Sequence, residues 1–185
     1  RKLKGDRWIT CDDKLYGQNK RDDPAAGVAI LLSKRAAKQV KAGQKGHIEG
    51  PGGSRIVWVR LKGELHDTVI FGCYVPHNWR HKAPYQKEIL QILSDAVRDS
   101  VKQGSRQDCI IVAGDLNVRL ARGHEYQTAS GQQRKVTGQY TPAYKSSEGG
   151  EKVLNMCEEL GLVVANTMFK PARQRESRRR GGKRR

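Results

Sequence analysis

The chain has 185 residues, enough for one domain and not comfortably for two. Only 36% of them are hydrophobic and 6% aromatic, with 20 glycines, so a modest core and long loops are expected. The net charge is +17; the segment from Arg173 onward carries +7 of it, and the body, still at +10, points to a polyanionic partner, nucleic acid before an anionic membrane surface.

In chain order, residues 1–26 are polar, with Trp8–Ile9 and Leu15–Tyr16 as their apolar footholds. Residues 27–33 (Gly-Val-Ala-Ile-Leu-Leu-Ser) read as a buried strand, 34–45 as a basic stretch of weak helical character, and 47–54 (His-Ile-Glu-Gly-Pro-Gly-Gly-Ser) as a turn. Residues 55–61 and 68–75 are β-branched and aromatic. Joined by a short polar connection, they predict an antiparallel pair, and Pro76 stops the second strand.

Residues 85–103 form the clearest helix, with Ile89, Leu90, Ile92, Leu93, Ala96, Val97 and Val101 on one stripe and Gly104 placed to end it. The run Ile110–Ala113 then reads as a fully buried strand. It delivers Asp115 and Asn117 to its C-terminal tip, two residues apart and on the same side if the chain stays extended. Strand, helix, strand implies a layered α/β arrangement.

Residues 119–150 show no sustained periodicity and read as a long loop, functional or disordered. A short helix over 151–160 closes at Gly161, and 162–166 read as another strand. The segment 171–185 is an Arg-rich tail without apolar content, expected to be disordered. The domain thus spans 1–170. The cysteines at 11, 73, 109 and 157 form no C-x-x-C pair, and three lie in apolar segments. They read as small buried hydrophobes in a reducing compartment, not as a zinc site or disulfide framework. No signal peptide and no bilayer-length apolar run are present, so an intracellular location, nuclear if the Arg tail is an address, is expected.

Gly-Asp-Leu-Asn at 114–117, Tyr-Val-Pro at 74–76, the helix between them and Val-Val-Ala-Asn-Thr at 163–167 occur in an order that resembles the endonuclease/exonuclease/phosphatase superfamily. The likeness is greatest to the apurinic/apyrimidinic-like endonuclease domain of non-LTR retrotransposons and the craniofacial-development-protein-like chains related to it. The resemblance spans about residues 3–170. It implies an α/β fold, a four-layered sandwich of two mixed sheets flanked by helices. It also implies a metal-dependent phosphodiester or phosphomonoester hydrolase, usually with Mg²⁺, which takes hard oxygen ligands.

Carried over by position, Asp115 matches the aspartate that orients or deprotonates the attacking water. Asn117 matches an asparagine whose amide donates to phosphate or nucleophile, and Tyr74 a tyrosine whose hydroxyl bonds a phosphate oxygen. The loop after Tyr-Val-Pro carries His77 where relatives of this type have Asn. Asn78 and Arg80 follow it as candidate DNA contacts, and Arg119 and Arg122 are candidates in the 119–148 loop, which also holds His124, Arg134, Lys135 and Tyr140. The adjacent pair His124–Glu125 stands alone and reads as ordinary surface.

The resemblance also implies an N-terminal Asn, a metal-holding Glu, a late Asp and a final Asp-His pair, none of which is visible here. The expectation is therefore a chain incomplete at both ends that binds Mg²⁺ poorly and cleaves little or nothing alone. Two alternatives stand beside a retrotransposon-type DNA endonuclease: a noncatalytic basic nucleic-acid-binding remnant, and a phosphatase of the same superfamily.

Overall fold

A computed structural model describes residues 7–10, 28–50, 53–76, 83–103 and 108–170. Its centre is a four-stranded mixed sheet in the order β3 (Val40–Gly50), β4 (Gly53–Leu61), β5 (Thr68–Tyr74), β6 (Cys109–Asp115). The first three strands are antiparallel neighbours, as expected for 55–61 and 68–75, while β6 runs parallel to β5. A parallel neighbour cannot be reached by a hairpin and needs a crossover. The helix α2 (Ala83–Gln103) supplies it, at the place where the apolar stripe predicted it.

The stripe packs on one face of the sheet. Ile89, Leu90, Leu93 and Val97 of α2 join Ile56, Val69, Phe71 and Cys73 of the strands. Val153, Leu154, Met156 and Cys157 of α3 (Glu148–Leu160) complete this core. Arg98 ties the two helices, its Nε and Nη2 donating to the two carboxylate oxygens of Glu159 at 2.6 and 2.7 Å. The helix α3 starts three residues before the predicted 151. The Ser147 side chain accepts from Gly150 N, and Gly161 ends the helix in the left-handed conformation as expected.

The opposite sheet face is covered by a two-stranded antiparallel ribbon, β1 (Arg7–Thr10) with β2 (Ala29–Leu32). Leu32 and Ile30 pack with Val59, Leu61 and Ile70. A side chain at Gly72 would meet Ile30, Val28 and Val57 within 3.1–3.3 Å, so glycine lets the ribbon lie close. Helices, sheet and ribbon make three described layers of mixed α/β character.

Several sequence expectations change. The basic stretch 34–45 holds one helical turn, α1 (Lys34–Ala37), capped by the Ser33 hydroxyl, and then becomes the edge strand β3. Pairing with β4 outweighs a weak helical pattern, and lysines suit an edge. Most of the predicted turn 47–54 is hairpin arm, because His47 pairs with Val57 and Gly50 with Gly53. The strand β2 is not wholly buried, since Leu31 is exposed. Within the presumed loop 119–150, β7 (Glu125–Gln127) and β8 (Gln133–Lys135) form a small hairpin.

The predicted strand at 162–166 is overturned: Ala165–Thr167 is a short 3₁₀ turn. Leu162 N returns to Cys157 O and Val164 N bonds Val136 O, which leaves no ladder for a strand to join. The run at 110–113 is only half-buried. Ile110 and Val112 pack toward the helices, whereas Cys109, Ile111 and Ala113 are exposed. The ribbon covers β4 and β5 and stops short of β6, so a continuous apolar run here has one covered face. Cys73 and Cys157 are buried thiols as expected, but Cys109 is exposed for the same reason. The expectations for 11–26, 77–80, Gly104 and the 171–185 tail lie outside the described residues.

The start of β6 is clamped. Arg60 Nη1 donates to Asp108 Oδ2 at 2.5 Å and lies 3.4 Å from Asp67 Oδ2. Asp67 N donates to Asp108 Oδ1, and Cys109 N to Asp67 O. The clamp holds Thr68 opposite Cys109, and the parallel register then runs unbroken to Tyr74 opposite Asp115.

Candidate functional site

That register brings three polar residues into one row. Ile56 pairs with Cys73, so Arg55, the next residue out, stands beside Tyr74, which in turn stands beside Asp115. Residues opposite one another in a sheet share a face, so Arg55, Tyr74 and Asp115 lie on the ribbon side, at the end of the sheet. Sequence reasoning found the second and third and missed the first. The signal was a charge opening an otherwise apolar strand.

Arg55 sits at a bulge. Ile48 pairs with Ile56 but Glu49 pairs with Ser54, which leaves Arg55 as the extra residue of β4. Bulges re-aim side chains and concentrate near functional sites. Arg55 is only 4% exposed, and among the described residues its Nε and Nη1 have no hydrogen-bond partner. Its guanidinium carbon lies 5.5 Å from the centroid of the Tyr74 ring, a cation–π contact. A buried guanidinium with two unsatisfied donors is costly, and such groups call for an explanation.

Asp115 is carried to the tip by a backbone that leaves the extended form. Gly114 has φ 147°, and a Cβ there would fall 1.8 Å from Cys73 O, so this position admits glycine alone. Val75 N donates to Asp115 O at 2.8 Å, one step beyond the ladder. Asn117 then turns into the left-handed region at φ 48°. The two side chains therefore do not project side by side as an extended chain would place them. Asn117 N donates to Asp115 Oδ1 at 3.0 Å, and Asn117 Nδ2 donates to Val75 O at 2.9 Å. The asparagine amide that the resemblance would turn toward phosphate is engaged in holding the tip.

A second missed residue is Gln86. It is buried in the first turns of α2, and its Nε2 donates to Asn117 O at 3.2 Å and to Pro76 O at 3.4 Å. It joins the ends of β5 and β6 across the crossover. A polar residue three and four positions before Ile89 and Leu90, on the apolar stripe, was the available signal.

Beyond Asn117, Arg119 and Arg122 are exposed on a segment tied alongside 141–147. Arg119 N donates to Ser147 Oγ, Ala121 N to Ser146 Oγ, and Arg122 N to Ala143 O. Asn78, Arg80 and His77 lie outside the described residues. His124 and Glu125 do not act together: His124 Nε2 meets Glu158 Oε1 at 2.5 Å, while Glu125 faces Lys135 and Gln133 in the small hairpin. A cleft of about 1170 Å³ runs from Asp108 past Asp115 and Asn117 to Leu120, walled on its other side by α3 and residues 160–166.

Burial pushes the Cys73 thiol up to about 12, with the Asp115 charge adding to the effect, so it stays protonated at neutral pH. Among the described residues no group of three or more His, Cys, Asp or Glu side chains is placed to hold a metal ion. A lone carboxylate does not make the oxygen cage Mg²⁺ prefers, so the described donors do not fit that ion. No described helix is long and apolar enough to cross a membrane. The chain matches no protein-family model, no curated protein and no solved structure.

Proposed function

We propose that the chain binds the phosphate backbone of nucleic acid at the Arg55–Tyr74–Asp115 end of the sheet, and that phosphodiester hydrolysis by water is the chemistry this end is laid out for. The observation that carries the reading is Arg55. Two buried guanidinium donors without a partner among the described residues leave a fixed positive charge in need of an acceptor, and a phosphate oxygen is an anionic acceptor that suits it. The Tyr74 hydroxyl, on the same face, can donate to a further phosphate oxygen. The Asp115 carboxylate, one strand spacing further (~5 Å), can accept a hydrogen bond from a water and hold it toward phosphorus. The net charge of +17 supplies the long-range attraction to such a backbone.

The fold reading that goes with this is a partial endonuclease/exonuclease/phosphatase sandwich, in which the β1–β2 ribbon stands for part of the second sheet. DNA is the substrate and Mg²⁺ the ion that go with this reading, although the described donors do not by themselves hold that ion. A noncatalytic nucleic-acid binder is the second reading. It is favoured by the commitment of the Asn117 amide to Val75 O and by the lack, among the described residues, of a His, Cys, Asp or Glu group able to hold a metal ion.

Fluorescence anisotropy with a labelled DNA duplex across a salt series tests the binding. Arg55→Met is expected to weaken it and to lower the salt slope by about one phosphate contact. An unchanged slope and affinity would overturn the phosphate reading. Nicking of supercoiled plasmid in Mg²⁺ tests the chemistry, and activity no greater than that of Asp115→Ala leaves the noncatalytic reading.

A further inference from the structure

Tyr144 is 82% exposed, yet it is not a loose side chain on a loose loop. The guanidinium carbon of Arg122 lies 4.9 Å from its ring centroid. Arg122 is itself anchored, its Nε donating to Thr141 O at 3.2 Å and its backbone N to Ala143 O at 3.1 Å. The two segments that carry the pair are sewn together on both sides. Thr141 Oγ1 donates to Leu120 O, Ser147 N to Arg119 O, and Ala121 N to Ser146 Oγ. One ring face is thus backed by a fixed cation, and the ring as a whole remains open to solvent. Lys145 follows it in the chain, and Arg119 lies on the segment tied alongside through Ser147 N to Arg119 O; both side chains are exposed.

An aromatic side chain this exposed gains little for folding from its position. A flat ring, pre-oriented by a cation and bordered by positive charge, suits a partner that is itself flat and attached to an anionic chain. Unpaired nucleobases meet this description, and bases stacked inside a duplex do not, because their faces are already covered. The location agrees. Arg122 lies seven residues past Asp115, which bounds their separation at ~25 Å, a span of a few nucleotides.

We infer that Tyr144, backed by Arg122, is a stacking platform for an unpaired nucleobase, so that the chain grips single-stranded nucleic acid next to its phosphate site. The inference rests on the phosphate reading for the neighbouring backbone contacts, but the platform is separable from them. Stacking is indifferent to salt, whereas phosphate contacts are not.

The test is anisotropy titration of the full chain with a labelled twelve-nucleotide oligo(dT), an oligo(U) of equal length, and a hairpin duplex of equal charge. The variants are Tyr144→Ala, Tyr144→Phe and Arg55→Met, each checked by circular dichroism. Tyr144→Ala is expected to weaken oligo(dT) or oligo(U) binding roughly tenfold, with an unchanged salt slope and unchanged duplex binding. Tyr144→Phe should bind like the parent. The tighter of the two oligonucleotides identifies DNA or RNA as the source of the base. An equal loss on duplex and single strand, no loss at all, or no single-strand binding by the parent would each overturn the platform. Arg55→Met reports separately: if it is silent while Tyr144→Ala is selective, the phosphate reading fails and the platform stands.

Discussion

The guanidinium of Arg55 lies over the ring of Tyr74, 5.5 Å from its centroid, with Nε and Nη1 buried and unpartnered among the described residues. Buried guanidinium donors without acceptors cost the fold stability. Replacing it with methionine, similar in length and apolar, should therefore stabilise the domain by about 1–3 kcal/mol, the usual cost of a buried unsatisfied polar group, while DNA binding falls. Urea denaturation read beside anisotropy checks the pair of signs. Loss of stability together with loss of binding would instead make Arg55 a structural residue.

Asn117 can be dissected by backbone conformation. Asn117→Ala loses the bond to Val75 O and must also hold φ 48° without the tolerance of asparagine. A loss of about 2–3 kcal/mol is expected from a missing hydrogen bond plus left-handed strain. Asn117→Gly keeps the conformation and should lose about 1 kcal/mol less. Chemical denaturation of the two variants gives the difference, and equal losses would remove the backbone contribution.

Asp108 is nearly covered, and it accepts from Arg60 Nη1 and Asp67 N. Asp108→Asn should cost about 2–3 kcal/mol, since hydrogen bonds to a buried charge contribute ~1.5–3 kcal/mol. Hydrogen exchange should show the loss spread along β5 and β6 together. Protection lost in β6 alone would mean that the clamp does not couple the strands.

The link between helices carries a pH signature. The hydrogen bond from Arg98 holds the Glu159 carboxyl below its usual 4.5. A lowered carboxyl favours the fold above its unfolded value, and that contribution disappears as pH falls through the folded value. Glu159→Gln should therefore melt below the parent at pH 6, with the difference closing on the acid side of 4.5. Thermal melts at stepped pH measure this, and a gap that persists to pH 2 would refute it.

Thiol reactivity should separate by burial. Cys73 and Cys157 are pushed up to about 12 and about 11, chiefly by desolvation, while Cys109 is exposed. In a Cys11→Ser background, iodoacetamide at pH 8 should label Cys109 first and the other two only in denaturant, as read by peptide mass spectrometry.

The longest signals in the sequence were the most legible. The stripe from Ile89 to Val97 placed α2, and the β-branched runs placed β4 and β5, because each has a period that only one backbone form satisfies. Legibility failed where burial depends on what covers a strand. Nothing local in Ile110–Ala113 says that the ribbon stops at β5, and nothing in Leu162–Asn166 says that Val136 will take its hydrogen bond. The candidate site divided in the same way. Asp115 and Tyr74 were visible as a motif, whereas Arg55 and Gln86 acquire meaning only when three strands and a helix are laid side by side.

The clamp of Arg60 on Asp108 has a consequence for what kinds of change β6 can tolerate. It fixes the count of residues from the entrance of the strand to its tip, and successive side chains alternate in facing. One residue added or removed between Asp108 and Asp115 would put a neighbour in the aspartate's place and swing the carboxylate to the helix side. Substitutions at the exposed positions Cys109, Ile111 and Ala113 leave that parity untouched. Along this strand, length is guarded more strictly than identity, and a single-codon deletion should silence the site more surely than most replacements of the residues it contains.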